Sequence, residues 1–256
     1  MKKKVICLIL TLVFLCGLAF SAYQIYKQLH EYDEGKNAYD DLDEYIDLPL
    51  PDETEDLSEE NQSESEEKED IVWPQVDFDE LKKINGDIVG WIYLEGSKIN
   101  YPIVQSEDNS YYLKHLFDKS SNSSGCIFLD YRNAPDFSDQ NSVVYGHHMK
   151  NGTMFSGLDS YKSQEYYDAH PQLLLLTPEE HYVIEIFSGF VASAKDDAWK
   201  IGFTSDTDFE DWLKRSAERS CFSSSITPAV TDRIVTLSTC SYEFSNARFV
   251  LAGVIR

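Results

Sequence analysis

Three side chains of this 256-residue chain stand out for a chemistry they could share. Arg233-Ile-Val-Thr-Leu-Ser-Thr-Cys240 reads as a short apolar strand, Ile234 to Leu237, that breaks into small hydroxyl residues and delivers one thiol at its end. Arg248 follows eight residues later, at the start of the apolar run Phe249-Val-Leu-Ala-Gly-Val254. His147 and His148 come directly after another strand-like run, Ser142-Val-Val-Tyr-Gly146. A strand end is where rigid backbone meets open surface, so a side chain there is both held and reachable. A thiol near neutral pH is only a few per cent thiolate and needs a base or a cation beside it to act as a nucleophile. Cys240 as nucleophile, a histidine as general acid/base and Arg248 as donor to a developing oxyanion make such a set. Each also has a plainer reading: a small buried hydrophobe, a pair of surface histidines at a turn, and a charge flanking an apolar strand.

The elements that must position them are mostly β. Short runs rich in branched and aromatic residues occur at Ile88–Leu94, Ile99–Val104, Cys126–Leu129, Ser142–Tyr145, Leu173–Leu176, Tyr182–Ala192, Ile234–Leu237 and Phe249–Ile255. Eight such runs separated by Gly, Asn, Ser or Pro predict a mainly β domain, a closed barrel or a sandwich. A short helix is expected over Asp77–Asn85, and helical spacing recurs at Asn109–Phe117, Thr153–Tyr161, Gln164–His170 and, most clearly, Asp208–Arg219. There is no internal repeat.

The net charge of −23 is unevenly spread: residues 31–70 hold 19 Asp/Glu against 2 Lys, whereas residues 1–30 are basic by +4. Nucleic acid is a poor partner for this chain, because phosphate binding needs clustered Lys/Arg and no basic patch stands out. Residues 1–4 form a basic start, and Val5 to Tyr23 is an uncharged apolar run long enough to cross a bilayer as a helix. The lysines predict a cytoplasmic N-terminus and a domain on the far side. An uncleaved anchor is preferred over a cleaved signal peptide, although Ala19 and Ser21 would suit a cleavage site. Residues 24–72 are expected to be a juxtamembrane segment followed by an acidic linker, Asp52 to Asp70, too polar to fold, which holds the domain away from the membrane. The folded domain is expected over residues 73–256.

The five cysteines include no Cys-x-x-Cys pair, which argues against a zinc knuckle and a thioredoxin-type site. Of the three outside the apolar run, Cys126, Cys221 and Cys240, at least one has no disulfide partner among them.

Thr236-Leu-Ser-Thr-Cys240 with Arg248, the strand-borne Tyr145-Gly-His-His148 and an apolar N-terminal run on a β domain together resemble the sortases. Tyr145-Gly-His-His-Met-Lys-Asn-Gly-Thr-Met-Phe155, Gly90-Trp-Ile92 with Tyr101-Pro-Ile-Val-Gln105, and Phe128-Leu-Asp-Tyr-Arg132 resemble class B in particular. The likeness runs from about Trp73 to the C-terminus. It implies an eight-stranded β-barrel with peripheral helices, behind a single transmembrane helix at the surface of a Gram-positive cell. It also implies a cysteine transpeptidase that needs neither metal nor cofactor. Cys240 would attack the threonine carbonyl of a C-terminal sorting signal, His147 would serve as general acid/base with His148 as a bystander, and Arg248 would steady the oxyanion. The implied partners are surface proteins bearing the signal and an amine of peptidoglycan or its precursor, with the protein held in the cell membrane.

Ser238, Thr239 and Tyr242 are further candidates for lining the substrate groove. Ser238 and Thr239 are equally explained as small residues that let strands approach closely, and Tyr145 and Glu243 are supporting residues on position alone. A thiol peptidase, a pilin-polymerising enzyme and an inactive binding barrel are the alternatives.

Overall fold

The computed structural model describes residues 2–48 and 73–256. The expected acidic spacer, Asp52 to Asp70, lies outside the described residues.

Helix α1 runs unbroken from Lys2 to Asp40, so the apolar run and the expected juxtamembrane segment are one element. Residues 3–30 are exposed, and α1 is the one helix among the described residues that is long and apolar enough to span a membrane. A single 3-10 turn, Asp41–Tyr45, leads into β1 (Ile46–Asp47). The chain returns in β2 (Gln75–Val76), which pairs antiparallel with β1, Ile46 opposite Val76 and Asp47 opposite Gln75. Helix α2 (Phe78–Ile84) starts where the Asp77 carboxylate accepts the Glu80 amide at 3.0 Å, and it buries Phe78 and Leu81.

The barrel strands are β3 (Ile88–Tyr93), β4 (Asn100–Val104), β5 (Ile127–Leu129), β6 (Asn141–Tyr145), β7 (Gln172–Leu176), β8 (His181–Ser193), β9 (Ile234–Cys240) and β10 (Ala247–Ile255). They close in the order β10-β8-β7-β3-β4-β5-β6-β9. All eight expected strands are present. Two pairs are parallel, β4 with β5 and β6 with β9, and the rest are antiparallel.

Helix α3 (Gln164–Ala169) lies between β6 and β7 in the chain, and α4 (Asp206–Glu218) between β8 and β9. Helix α4 is capped by Ser205, whose hydroxyl accepts the Asp208 amide, and its Phe209, Trp212 and Leu213 pack on Phe187, Ile234, Ala252 and Val254. Strands β9 and β10 are therefore covered outside as well as inside, where Leu237, Phe249 and Leu251 join the main core. Burial on both faces is why these strands read as continuous apolar runs instead of alternating ones.

Three expectations need correction. Strand β9 does not stop at Leu237 but pairs with β10 through Ser238 and Thr239 to Cys240, because both hydroxyl residues are buried within the ladder. The Asn109–Phe117 stretch holds only one 3-10 turn, Tyr111–Leu113, since the Asp108 carboxylate takes the Ser110 and Tyr111 amides and the chain then folds back through a His115–Ser121 bridge.

The third concerns where folding begins. Tyr39, Leu42 and Ile46 are buried in the same core as the barrel, upstream of the expected boundary at Trp73. The chain leaves this folded unit after β1 and re-enters it at β2, paired with β1, while Trp73 packs on His181. The folded unit therefore includes described residues on both sides of the 49–72 segment, β1 before it and β2 after it.

A fragment starting at Trp73 gives up three buried side chains, so it should be less stable than one starting at Glu31 by roughly 5 kcal/mol. Joining Leu48 to Trp73 by a short turn should change stability by less than about 1 kcal/mol. Urea unfolding of the three proteins checks both; a Trp73 fragment as stable as the longer one contradicts the upstream packing.

Candidate active site

Cys240, the last residue of β9, is directly opposite Arg248 in the β9–β10 ladder. Directly opposed residues point to the same face of a sheet, so thiol and guanidinium share one side. On the other flank, β6 runs parallel to β9 with Tyr145 opposite Ser238, and the Gly146 amide continues the ladder to the Ser238 carbonyl at 3.1 Å. Parallel neighbours end at the same edge, so His147, two residues past Tyr145, comes to the rim where Cys240 lies two residues past Ser238. All three candidates line one cleft of about 700 Å³, together with Ser238, Thr239 and Tyr145.

The ring of His147 is oriented by the chain before β5. Its Nε2 is 2.8 Å from the Leu113 carbonyl oxygen, which can only accept, so Nε2 carries a proton. Nδ1 is left as the nitrogen that gains or loses the second one. Arg248 donates to the neighbouring Ala247 carbonyl at 2.9 Å and has no ion-pair partner among the described residues. The two carboxylates that line the cleft wall are spoken for: Asp196 binds Arg219 through 2.8 and 2.9 Å bonds, and Asp197 binds Arg215 at 2.8 Å. The Arg248 guanidinium is therefore a cation free to meet a substrate oxygen, while the thiol is partly accessible.

Of the lesser candidates, Ser238 is buried and its hydroxyl accepts the Trp199 indole N–H at 2.9 Å, which fixes one wall of the cleft. The buried Thr239 hydroxyl has no partner among the described residues. Tyr242 is not among the cleft residues: it is 67% exposed and packs edge-on against His148, 5.2 Å between ring centres. Position in sequence put it next to the nucleophile candidate, but the chain leaves the sheet at Ser241 and carries it outward.

That outward loop, Ser241 to Asn246, is pinned from below. Lys162 bonds Glu243 at 2.5 Å and Asp159 at 3.1 Å, Ser241 donates to Glu243, and His148 Nε2 contacts Asp159 at 3.2 Å. The lysine contact and the Ser241 hydroxyl hold the Glu243 carboxyl down to about 2. His148 thus belongs to the loop's support, and Glu243 supports the loop without lining the cleft.

Arg132 and Asp130 lie within the Phe128–Arg132 motif but drew no individual role from the sequence. Asp130 is fully buried beneath the cleft and accepts from Arg132 Nε and Nη2 at 2.8 and 2.7 Å, from Asn109 at 2.9 Å and from the Tyr145 hydroxyl at 3.0 Å. Burial pushes its carboxyl up, but the Arg132 and other donors outweigh burial and hold it below the usual range. One carboxylate thereby sets three cleft residues: Arg132, Asn109 and Tyr145. An Asp two residues before an Arg at a strand end was the available signal; the buried bidentate pair is visible only in three dimensions. All five cysteines are free among the described residues, with Cys126 buried and Cys221 exposed.

Residues 92–255 match the model of the sortase domain family. The chain is 34% identical over 246 residues to sortase B of Listeria monocytogenes, covering 95% of this chain and 94% of that one. It superposes on the Staphylococcus aureus sortase B–substrate complex with a TM-score of 0.67 at 35% identity, covering 70% of this chain and 84% of that one. A sortase B complexed with triglycine matches with the same TM-score and identity, covering 70% and 85%. The barrel, its strand order and the whole-length likeness agree: the chain belongs to the sortase family and is similar to the sortase B transpeptidases.

Proposed function

We propose that this protein is a membrane-anchored cysteine transpeptidase that joins a surface protein to a cell-wall amine. The observation that carries the reading is the convergence of Cys240, Arg248 and His147 on one barrel rim, with Arg248 free of any carboxylate among the described residues.

In this reading the Cys240 proton passes to His147 Nδ1, and the thiolate attacks the carbonyl carbon of a threonine in the sorting signal. Arg248 donates to the tetrahedral oxyanion, the charge that distinguishes transition state from substrate. Collapse breaks the peptide bond. The departing nitrogen takes the proton from His147, leaving a thioester between Cys240 and the threonine acyl group. An incoming primary amine then attacks the thioester and gives its surplus proton to His147. The second tetrahedral intermediate expels the thiolate and leaves a new amide. No net oxidation or hydrolysis occurs, so the energy of the old amide is retained in the new one.

Two of the related structures support the substrate classes, since one sortase B was solved with its substrate and another with triglycine, a short peptide bearing a free amine. The exposed apolar part of α1 supports a single membrane span, and the lysines at its start support a cytoplasmic N-terminus. Pilin polymerisation would use the same three residues.

Cys240→Ala should abolish the thioester adduct with a sorting-signal peptide, seen as an added mass on the intact protein, while leaving the melting temperature unchanged. Arg248→Ala should lower kcat/KM by about 10²–10³-fold, the usual loss on removing one oxyanion donor. Supplying oligoglycine or a diamino acid should divert the product from free acid to amide, read by mass spectrometry. A product that stays free acid at saturating amine would instead identify a thiol peptidase.

A further inference from the structure

We propose that α1, besides carrying the apolar segment, is a positioning element for His147 and acts through Gly35 and Tyr39. The inference rests on the catalytic reading of His147 given above.

The link is a short series of contacts. The Tyr39 hydroxyl donates to the Gly125 carbonyl at 2.5 Å in a buried site. One turn earlier Gly35 lies against the same turn so closely that an added methyl group would stand 2.6 Å from Ser124 Oγ. One turn before that, Glu31 accepts from Asn122 through its backbone carbonyl and from the Ser123 amide through its carboxylate, both at 2.9 Å. Three successive turns of α1 thus grip residues 122–125.

Gly125 is where the grip reaches the site. Its φ of +61° and its position against the Tyr112 carbonyl admit no side chain; a methyl group there would also stand 3.1 Å from His147 Cδ2 and 3.1 Å from the Leu113 carbonyl carbon. The Leu113 carbonyl holds His147 Nε2, and the Cys126 amide bonds the Tyr112 carbonyl at 2.8 Å. The imidazole is therefore bounded by two backbone segments, 112–113 and 125–126, that are bonded to each other and pressed from outside by α1. Burial keeps the Tyr39 phenol protonated and able to donate. A shift of Gly125 would turn the ring away from the thiol without breaking the barrel.

The test uses the full chain in detergent micelles with 15N-labelled histidine, the His147 resonances being assigned by their loss in His147→Gln. Tyr39→Phe, which removes one oxygen and keeps the ring, and Gly35→Ala should each lower kcat about tenfold at unchanged KM and move the His147 titration midpoint. Leu42→Ala, which loosens the same core but removes none of the bonds that hold residues 122–125, should lower the melting temperature while kcat and the midpoint stay at their wild-type values. The proposal falls if Tyr39→Phe lowers only the melting temperature, or if Leu42→Ala moves the midpoint as far as Tyr39→Phe does. Should the wild-type chain process no peptide, the catalytic reading fails, and the titration midpoints alone still decide whether α1 sets the ring.

Discussion

The parallel pairing of β6 with β9 is the constraint on which the site depends. Two parallel strands end at one edge, so His147, two residues past β6, and Cys240, which ends β9, line one cleft although 93 positions separate them. Were the pair antiparallel, His147 and Cys240 would sit at opposite ends of the barrel. The connection that permits the parallel arrangement runs from β6 through α3, β7, β8 and α4 before β9 begins, and barrel closure brings it back. Arg248 then needs only the short loop after Cys240 and the antiparallel register of β9 with β10.

Charge is distributed to match this geometry. Around the rim, carboxylates are matched with cations: Asp130 with Arg132, Asp196 with Arg219, Asp197 with Arg215, and Asp159 and Glu243 with Lys162. Among the described residues Arg248 is left over. A guanidinium already engaged by a carboxylate has little to offer a developing oxyanion, so the pairing of its neighbours leaves Arg248 able to take the role proposed for it. The buried Asp130 also shows how one desolvated carboxylate, satisfied by several donors, can set Arg132, Asn109 and Tyr145 at once.

Helix α1 serves two surroundings. Residues 3–30 are an exposed, largely apolar rod, and the next turns dock on the barrel beside the loop that bounds His147. The docking stripe of α1, Tyr32, Gly35 and Tyr39, continues with Leu42 in the 3-10 turn and Ile46 in β1 at intervals of three and four residues, and was present in the sequence. It was masked by the acidic residues on the outer face of the same turns, which made residues 31–47 look continuous with the acidic stretch beyond. Composition averages over faces; a helix does not.

The sequence alone determined the eight strands, because apolar runs bounded by turn residues reflect local backbone preference and burial, both of which are written residue by residue. It also pointed to Cys240, Arg248 and the pair His147 and His148, since each adjoins a strand terminus and carries a side chain with chemistry to offer, while the choice of His147 over His148 came from the resemblance to the sortases. Tertiary structure decided the rest. Strand order and direction, the neighbours of Arg248, the outward path of Tyr242 and the place of residues 49–72 between paired β1 and β2 all depend on contacts between distant segments. Such contacts leave no local periodicity, because what fixes them is the closing of a sheet and the burial of facing surfaces, not the preference of any one stretch.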